Sequence, residues 1–464
     1  MENFWDYNVW GTLNIFAFLL LSLLAANSLK RIFPVLKASL IPTSVLGGAI
    51  LLAISGVYKL VTGNVMFDTA FFGGHGMATL EVITYHTLAL GFIASALKSS
   101  ENAFTRKRTM EIFNSGVTTV STYLIQAVVG FGITLIAAKI TTDFFAAAGV
   151  LLPFGYGQGT GQAMNYGNIY ELEHGFVGGK SFGLTIAALG FICASIGGVI
   201  HLNLLKRRGK IDFENINKTG EIVDEIEGKD EIPMQGSLDK VTFQISLVFV
   251  AYFMSYWAMV ALGTLLPGMK SVIFGFNFLL GVLCAALVKL ILKGLQKSGM
   301  MSHRYPNNFL LTRVSNFFFD VMVVAGIAAI RLGILEQYWG ILLILGVVGA
   351  FITYYYNRIV AVKLFPEYPE EQFLAMYGML TGTASTGVVL LREIDGGFKT
   401  PAADNLVYQT IPAIVFGFPM MLLATLAPVK PILTWVILVV FFIAMNVILF
   451  RSKIFRLGKK TVTK

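Results

Sequence analysis

Two hydrophobic segments of this chain are interrupted by glycine and small polar residues. The first reads LLPFGYGQGTGQAMNYG over residues 151–167, and the second reads MYGMLTGTASTGVVLL over residues 376–391. A backbone that leaves the helix at membrane depth has unpaired N–H and C=O groups, so it is tolerated only where protein, water or a ligand satisfies them. Two such breaks in corresponding positions of two halves are typical of a transporter binding site.

The composition places these segments in a membrane protein. Of the 464 residues, 13% are charged and 56% are hydrophobic, whereas a soluble domain carries roughly 25% charged residues. The net charge of +9 does not indicate nucleic-acid binding, because the basic residues lie in short loops between apolar runs. Both cysteines lie inside apolar runs, so the sequence predicts neither disulfides nor a cysteine metal site.

The apolar runs predict an all-α polytopic membrane protein with about 11 transmembrane helices, since one span takes roughly 20 residues. The predicted spans of the first half cover residues 9–29, 41–60, 83–97, 112–138 and 181–205. Those of the second half cover residues 241–265, 272–292, 314–334, 338–360 and 406–426, and an extra last span covers residues 431–450. Each interrupted segment is too short for two complete spans, so we predict re-entrant helical hairpins at residues 148–167 and 373–395.

Five spans and one hairpin in each half predict two repeats. Residues 1–205 form the N-terminal repeat, residues 206–240 a cytoplasmic linker, and residues 241–464 the C-terminal repeat with its extra span. Most of the 35 lysine and arginine residues fall in loops that are inside when the N-terminus is outside. The positive-inside rule therefore predicts that the N-terminus lies outside and the C-terminus in the cytoplasm. We expect a multi-pass protein of the cell (inner) membrane. An odd number of spans inverts the second repeat, so the hairpin tips can meet near the midplane.

The hairpin sequences resemble those of the bacterial glutamate:sodium symporter family, whose wider kin include the 2-hydroxycarboxylate and citrate transporters. GYGQGTGQA at residues 155–163 is similar to the family's GGHGTGAA pattern, and GTASTGV at residues 382–388 is similar to GATPTAI. Gln158 stands where the family pattern has histidine, and Ser385 where it has proline. The resemblance implies elevator-like alternating access, with the hairpins in a moving domain, and a homodimer. It also implies glutamate as the default substrate.

The chemistry of the hairpins predicts a site for a small anionic substrate and for Na⁺. Glycine lets a ligand approach bare N–H groups, and the N-terminus of a half-helix favours a carboxylate. The alternative role of these glycines is close helix packing. The predicted substrate-binding residues are Gly157, Gln158, Gly159, Thr160, Gly161, Gln162, Asn165, Thr383, Ser385, Thr386, Gly387 and Arg392. The predicted coupling-ion residues are Thr381, Thr383, Asn316 and Asp320.

Two charged residues within apolar segments leave alternatives open. An ionisable group at membrane depth is expensive to leave unpaired, so each is a candidate for function. Arg392 either binds a substrate carboxylate bidentately or pairs with Glu393 or Asp395. Asp320 is either a cation ligand together with Asn316 or the partner of Arg313, which lies near the same helix end. The five histidines show no ligand spacing, and we assign them no role.

The sequence thus predicts a Na⁺-coupled secondary active symporter of an anionic amino acid, with glutamate as the first candidate. The alternatives are a Na⁺- or H⁺-coupled transporter of a dicarboxylate or tricarboxylate and an uncoupled facilitator. An enzyme is not expected, because no Ser/His or Cys/His arrangement rises above chance. We expect no cofactor, no metal beyond Na⁺ as coupling ion, and no nucleic-acid partner. We expect the protein to be embedded in the lipid bilayer.

Overall fold

A computed structural model describes residues 3–98, 105–141, 144–209, 239–300, 306–395 and 399–461, and these residues form helices with no strand among them. Most of the predicted linker at residues 206–240 lies outside the described residues. In chain order the helices are α1 (Tyr7–Ile32), α2 (Pro34–Ala38), α3 (Thr43–Thr62), α4 (Gly76–Leu97), α5 (Arg106–Ile140), α6 (Leu151–His174), α7 (Gly179–Arg207), α8 (Lys240–Leu265), α9 (Lys270–Gly275), α10 (Asn277–Lys297), α11 (Asn308–Ala328), α12 (Trp339–Leu364), α13 (Pro369–Thr381), α14 (Ala384–Arg392), α15 (Ala402–Tyr408), α16 (Thr410–Leu426) and α17 (Pro431–Thr461).

The described helices confirm the all-helical prediction, and their length and apolar character are compatible with a multi-pass membrane protein. In the part of the chain that the structure describes, ten helices are long and apolar enough to cross a membrane, and up to eleven if a bent pair counts as one span. Several of them expose large apolar side chains, such as Phe253 and Trp257 on α8 and Phe351 on α12. Such exposure is unfavourable in water and suits a lipid surface.

Helix boundaries differ from the predicted spans where polar residues continue a helix or proline divides it. Helix α4 begins at Gly76 rather than residue 83, because the hydrophobic criterion omits its first turns. The predicted span at residues 406–426 is divided into α15 and α16, and Pro412 lies in the first turn of α16. Proline lacks an N–H donor and is tolerated at such positions. Boundaries therefore shift by several residues while the order of the spans remains.

The chain divides into two compact units, and both halves of the sequence contribute to each. The first unit contains Met1–Leu24, Gly47–Ala103 and Ile222–Ala329. Helix α4 lies at its centre and packs against α8, α10 and α11. The buried residues of this core include Leu90, Ile93, Val248, Ala285 and Leu311. The hydroxyl of Ser315 donates to the carbonyl of Gly91 at 2.9 Å, which ties α11 to α4.

The second unit contains Ala25–Leu46, Phe104–Glu221 and Ile330–Lys464, and it includes both interrupted segments. Helix α5 packs against α6, α12, α16 and α17, whereas α7 packs against α6, α12, α13 and α14. Helices α6 and α13 also contact each other. Two long helices thus support the residues for which the sequence predicts a binding site.

Candidate functional site

The first broken segment, α6, reverses direction at Gly159. Gly159 has φ 80° and ψ −173°, which lies outside the helical region. The rings of Phe154 and Tyr166 stack with their centroids 3.8 Å apart, although twelve residues of straight helix would separate them by about 18 Å. The chain therefore folds back on itself, and Gly159 is the first tip. A left-handed φ of this kind favours glycine because it has no Cβ.

The second broken segment consists of α13 and α14, which fold back around Gly382 and Thr383. A methyl group on Gly378 would lie 2.7 Å from the Cα of Gly387, so the two backbones are in direct contact. These two glycines lie at equal distances along the chain from the break between Gly382 and Thr383, as in an antiparallel pair. We call Gly382–Thr383 the second tip.

Helix α7 supports both broken segments through its glycines. A methyl group on Gly183 would lie 2.3 Å from the carbonyl oxygen of Ala163 in α6. At Gly190 it would lie 2.5 Å from the carbonyl oxygen of Thr381 and 3.1 Å from the ring of Tyr156. Gly190 therefore stands between Tyr156, three residues before the first tip, and Thr381, one residue before the second. The structure brings the two tips to the same part of α7.

Helix α5 holds a backbone carbonyl of each segment. The hydroxyl of Tyr123 donates to the carbonyl of Gly157 at 3.0 Å, two residues before the first tip. The Nε2 atom of Gln126 donates to the carbonyl of Leu380 at 2.9 Å, two residues before the second tip. It also donates to the hydroxyl oxygen of Thr353 on α12 at 2.8 Å. One face of α5 thus fixes both tips.

The predicted residues of the first segment surround its tip and are largely buried. The side chains of Thr160 and Gln162 are completely buried, and Gln158 is partly exposed. The Oε1 atom of Gln162 accepts from Asn165 at 3.3 Å. The buried Nε2 atoms of Gln158 and Gln162 have no hydrogen-bond acceptor among the described residues. Amide donors of this kind suit a carboxylate.

The predicted residues of the second segment divide into buried and exposed positions. The Thr381 hydroxyl donates to the carbonyl of Tyr377 at 2.6 Å, and the Thr383 and Thr386 hydroxyls lie 3.4 Å apart. Ser385 is exposed in the first turn of α14. At Gly387, the space for a side chain is filled by the carbonyl of Ala375. Close packing therefore explains this glycine, while the hydroxyls of Thr383 and Thr386 lie at the tip.

Arg392 lies at the other end of α14 from the tip. The eight steps from Ala384 to Arg392 place it about 12 Å further along the helix, and its side chain is exposed. Glu393 is its neighbour in the chain, and Lys37 is also close enough to act on this carboxylate. Asp395 instead accepts from the backbone N–H groups of Lys399 and Thr400 at 2.8 and 2.9 Å. This geometry places Arg392 away from a ligand at the tip, and its pairing with Glu393 stays a prediction.

Asn316 and Asp320 belong to the first unit, whereas all other predicted site residues belong to the second. They lie one turn apart on α11 and are both exposed. Their role as coupling-ion residues stays a prediction.

Among the described residues, no group of three or more His, Cys, Asp or Glu side chains is arranged to hold a metal ion. A cation at the tips would instead meet hydroxyl, amide and backbone oxygens, which suit a hard ion such as Na⁺.

The sequence analysis missed the polar face of α5. Its members recur every three or four residues, which is the spacing of one helix face. They are Glu111, Ser115, Thr118, Thr119, Thr122 and Gln126. The Nε2 atom of Gln372 on α13 donates to the Ser115 hydroxyl at 3.1 Å, and Thr119 bonds to Gln409. A test for helical periodicity of polar residues would have found this face.

A second omission is the ion pair at the beginning of α13. Glu370 accepts two hydrogen bonds from the Arg358 guanidinium, at 2.5 and 2.9 Å. The Nε2 atom of His201 lies 3.1 Å from Glu370, and its Nδ1 atom lies 2.7 Å from the hydroxyl of Tyr354. These contacts attach the second broken segment to α7 and α12. No sequence signal links His201 to Glu370, because they are 169 residues apart in the chain.

Each broken segment has a first arm before its tip and a second arm after it. The two arms present opposite ends of a helix, with opposite partial charges, to the tip. The second arm of each begins at its tip, so a helix N-terminus with partial positive charge lies there. The first arm of the second segment ends at the same place with a partial negative charge. The tips therefore offer binding groups for both an anion and a cation.

Neither protein-family models nor curated proteins match this chain.

Proposed function

We propose that this protein is a Na⁺-coupled secondary active symporter of an anionic amino acid, with glutamate as the first candidate substrate. The observation that carries the proposal is the convergence of the two broken segments on one face of α5. Tyr123 holds the first segment and Gln126 holds the second. Substrate carboxylates bind at the N-termini of the second arms and at the amide donors of Gln158 and Gln162. Na⁺ binds among the neutral oxygens near the second tip.

The two broken segments are re-entrant hairpins of two inverted repeats in this proposal. Each follows the fourth long helix of its half and precedes the fifth. The composition of the two units supports the repeats, because the first unit contains most of the first three long helices of each half. The second unit contains the fourth helix, the broken segment and the fifth helix of each half.

This division also supports an elevator-like mechanism. A moving transport domain needs both hairpins within one compact body, and the second unit meets that requirement. The first unit then acts as the scaffold, at which two protomers form a dimer. The N-terminus lies outside the cell and the C-terminus in the cytoplasm, as the distribution of basic residues favours.

Uptake into proteoliposomes tests this function. We expect labelled glutamate to accumulate against its gradient when Na⁺ is higher outside, and not when choline replaces Na⁺. Citrate, aspartate and glutamine serve as competitors that define the substrate class. Equilibration without accumulation would instead show an uncoupled facilitator, and accumulation driven by a pH gradient alone would show H⁺ coupling.

Cysteine labelling tests the convergence of the tips independently of substrate choice. Gln158→Cys and Ser385→Cys are made in a protein whose two native cysteines are replaced. We expect substrate with Na⁺ to slow the reaction of both cysteines with a membrane-permeable thiol reagent. The exposed position 385 reacts faster than position 158 before substrate is added. Protection of only one position would contradict a shared cavity.

A further inference from the structure

We infer that Gln126 and the last carbonyl groups of α13 form a binding site for a small cation behind the second tip. The inference rests on the proposed function, since it assigns a place to the coupling ion or to the ammonium group of the substrate. Two observations lead to it: the orientation of the buried Gln126 amide, and the end of a helix beside it.

The contacts of Gln126 fix the orientation of its amide group. Its Nε2 atom lies 2.9 Å from the carbonyl of Leu380, which can only accept. The same atom lies 2.8 Å from the Thr353 hydroxyl, whose proton is already donated to the carbonyl of Gly349. Exchanging the amide oxygen and nitrogen would place an acceptor against two acceptors. The Oε1 atom is therefore the group that points away from both contacts.

This Oε1 atom is a buried acceptor without a donor. The Gln126 side chain is completely buried, and its Oε1 atom has no hydrogen-bond partner among the described residues. Buried polar groups are nearly always paired in native proteins, so such an atom requires an explanation. A glutamine held by two other contacts and pointing its carbonyl into the interior suits a positively charged ligand.

The end of α13 supplies the second part of the site. The last carbonyls of a helix have no intrahelical donors and carry the negative end of the helix dipole. Leu380 and Thr381 are the last two residues of this 13-residue helix, and both are completely buried. Since Oε1 and Nε2 belong to one planar amide, the unpaired oxygen is part of the group that contacts the end of α13 through the Leu380 carbonyl. Carbonyl and amide oxygens together are suitable Na⁺ ligands.

A second buried amide lies one turn further along α12. Asn357 donates from Nδ2 to the backbone carbonyl of Thr353 at 2.9 Å, which fixes its orientation as well. Its Oδ1 atom is buried and has no partner among the residues that the structure describes. Two fixed amides that both contact Thr353 thus leave their acceptors unpaired.

Thermal unfolding of the purified full-length protein tests the site. The unfolding temperature is measured in NaCl and in choline chloride at equal ionic strength, for the wild type and for Gln126→Met. The matched control is Gln372→Met, because Gln372 is equally buried but both of its amide atoms have partners, Ser115 and Asn405. We expect Na⁺ to stabilise the wild type and Gln372→Met. The half-saturating Na⁺ concentration of Gln126→Met rises at least tenfold.

Glutamate and glutarate distinguish the two possible cations, since glutarate lacks the ammonium group. Suppose that Na⁺ alone raises the unfolding temperature of Gln126→Met as much as that of the wild type, but that glutamate no longer stabilises this variant more than glutarate does. The cation at the site is then the ammonium group. If the variant keeps both responses, the inference is wrong. Gln126→Glu serves if the methionine variant does not fold, and we expect it to bind Na⁺ more tightly. An unchanged Na⁺ affinity and glutamate preference in Gln126→Glu would also contradict the inference.

The uptake assay separates this inference from the proposed function. Suppose that the wild type shows uphill, Na⁺-driven uptake and that Gln126→Met has unchanged Na⁺ and glutamate responses. The inferred cation site would then be wrong, while the proposed symporter function would stand. Absence of uphill glutamate uptake by the wild type would remove the proposed function, whatever the unfolding temperatures show.

Discussion

Tyr123 and Gln126 lie three residues apart on one face of α5, and each donates a hydrogen bond to a carbonyl two residues before a tip. Their acceptors, Gly157 and Leu380, belong to different broken segments. One helix therefore holds both tips through similar contacts. This arrangement couples the two segments, since a shift of α5 displaces the groups on both sides of the proposed cavity.

Removing the Tyr123 hydroxyl is expected to weaken substrate binding. In Tyr123→Phe the buried carbonyl of Gly157 loses its side-chain donor, which costs on the order of 1 kcal/mol. Because the first tip is then less well fixed, we expect the half-saturating glutamate concentration in uptake assays to rise several-fold.

Tyr166→Phe is the matched control for this change. Its hydroxyl donates to the carbonyl of Met421 at 2.9 Å, also from within the second unit but away from the tips. We expect a similar loss of thermal stability with an unchanged half-saturating glutamate concentration. Equal effects of both variants on uptake would mean that Tyr123 acts only through general stability.

Gly159→Val is expected to abolish uptake while membrane insertion stays normal. A β-branched side chain is strained at the positive φ of Gly159, and the bulk would also block the approach of a ligand to the tip. Uptake is compared with the amount of protein in the membrane. The control is Gly175→Val, which has a similar positive φ but open space around it. Normal uptake by Gly159→Val would show that the site lies elsewhere.

The sequence allowed the spans and the breaks to be predicted because both depend on local composition. A run of apolar residues identifies a span, and GYGQGTG or GTASTG identifies a break, without knowledge of any contact. Helix α6 breaks at Gly159, within the segment for which we predicted a hairpin. Its arms continue to His174, seven residues beyond the predicted end, because the helix ends only at Gly175, which adopts φ 69°.

The contacts that hold the tips depend on distant parts of the chain. Gln126 and Leu380 are 254 residues apart, and His201 and Glu370 are 169 residues apart. Nothing in a single sequence indicates which polar residue of one span meets which carbonyl of another. The polar face of α5 is the exception, because its spacing of three and four residues is visible in the sequence.

Arg392→Gln tests whether this arginine contacts the substrate. Since Arg392 lies at the far end of α14 from the tip, next to Glu393 in the chain, we expect glutamate and glutamine to lose affinity to the same small extent. Competition of both amino acids with labelled glutamate uptake provides the measurement. A much larger loss for glutamate would show that the guanidinium binds the side-chain carboxylate.

Breaking the ion pair at the beginning of α13 is expected to destabilise the second broken segment. Glu370 is 13% exposed and accepts both bonds of the Arg358 guanidinium, so Arg358→Met leaves its charge poorly compensated at a cost of roughly 3 kcal/mol. Arg358→Lys restores the charge but not the paired hydrogen bonds, and we expect it to recover only part of the stability. The control is Lys107→Met at the exposed pair with Glu367, whose atoms lie 2.6 Å apart. Exposed pairs contribute little, so its unfolding temperature should hardly change. A similar unfolding temperature for Arg358→Met and Lys107→Met would show that the Glu370 contacts do not anchor α13.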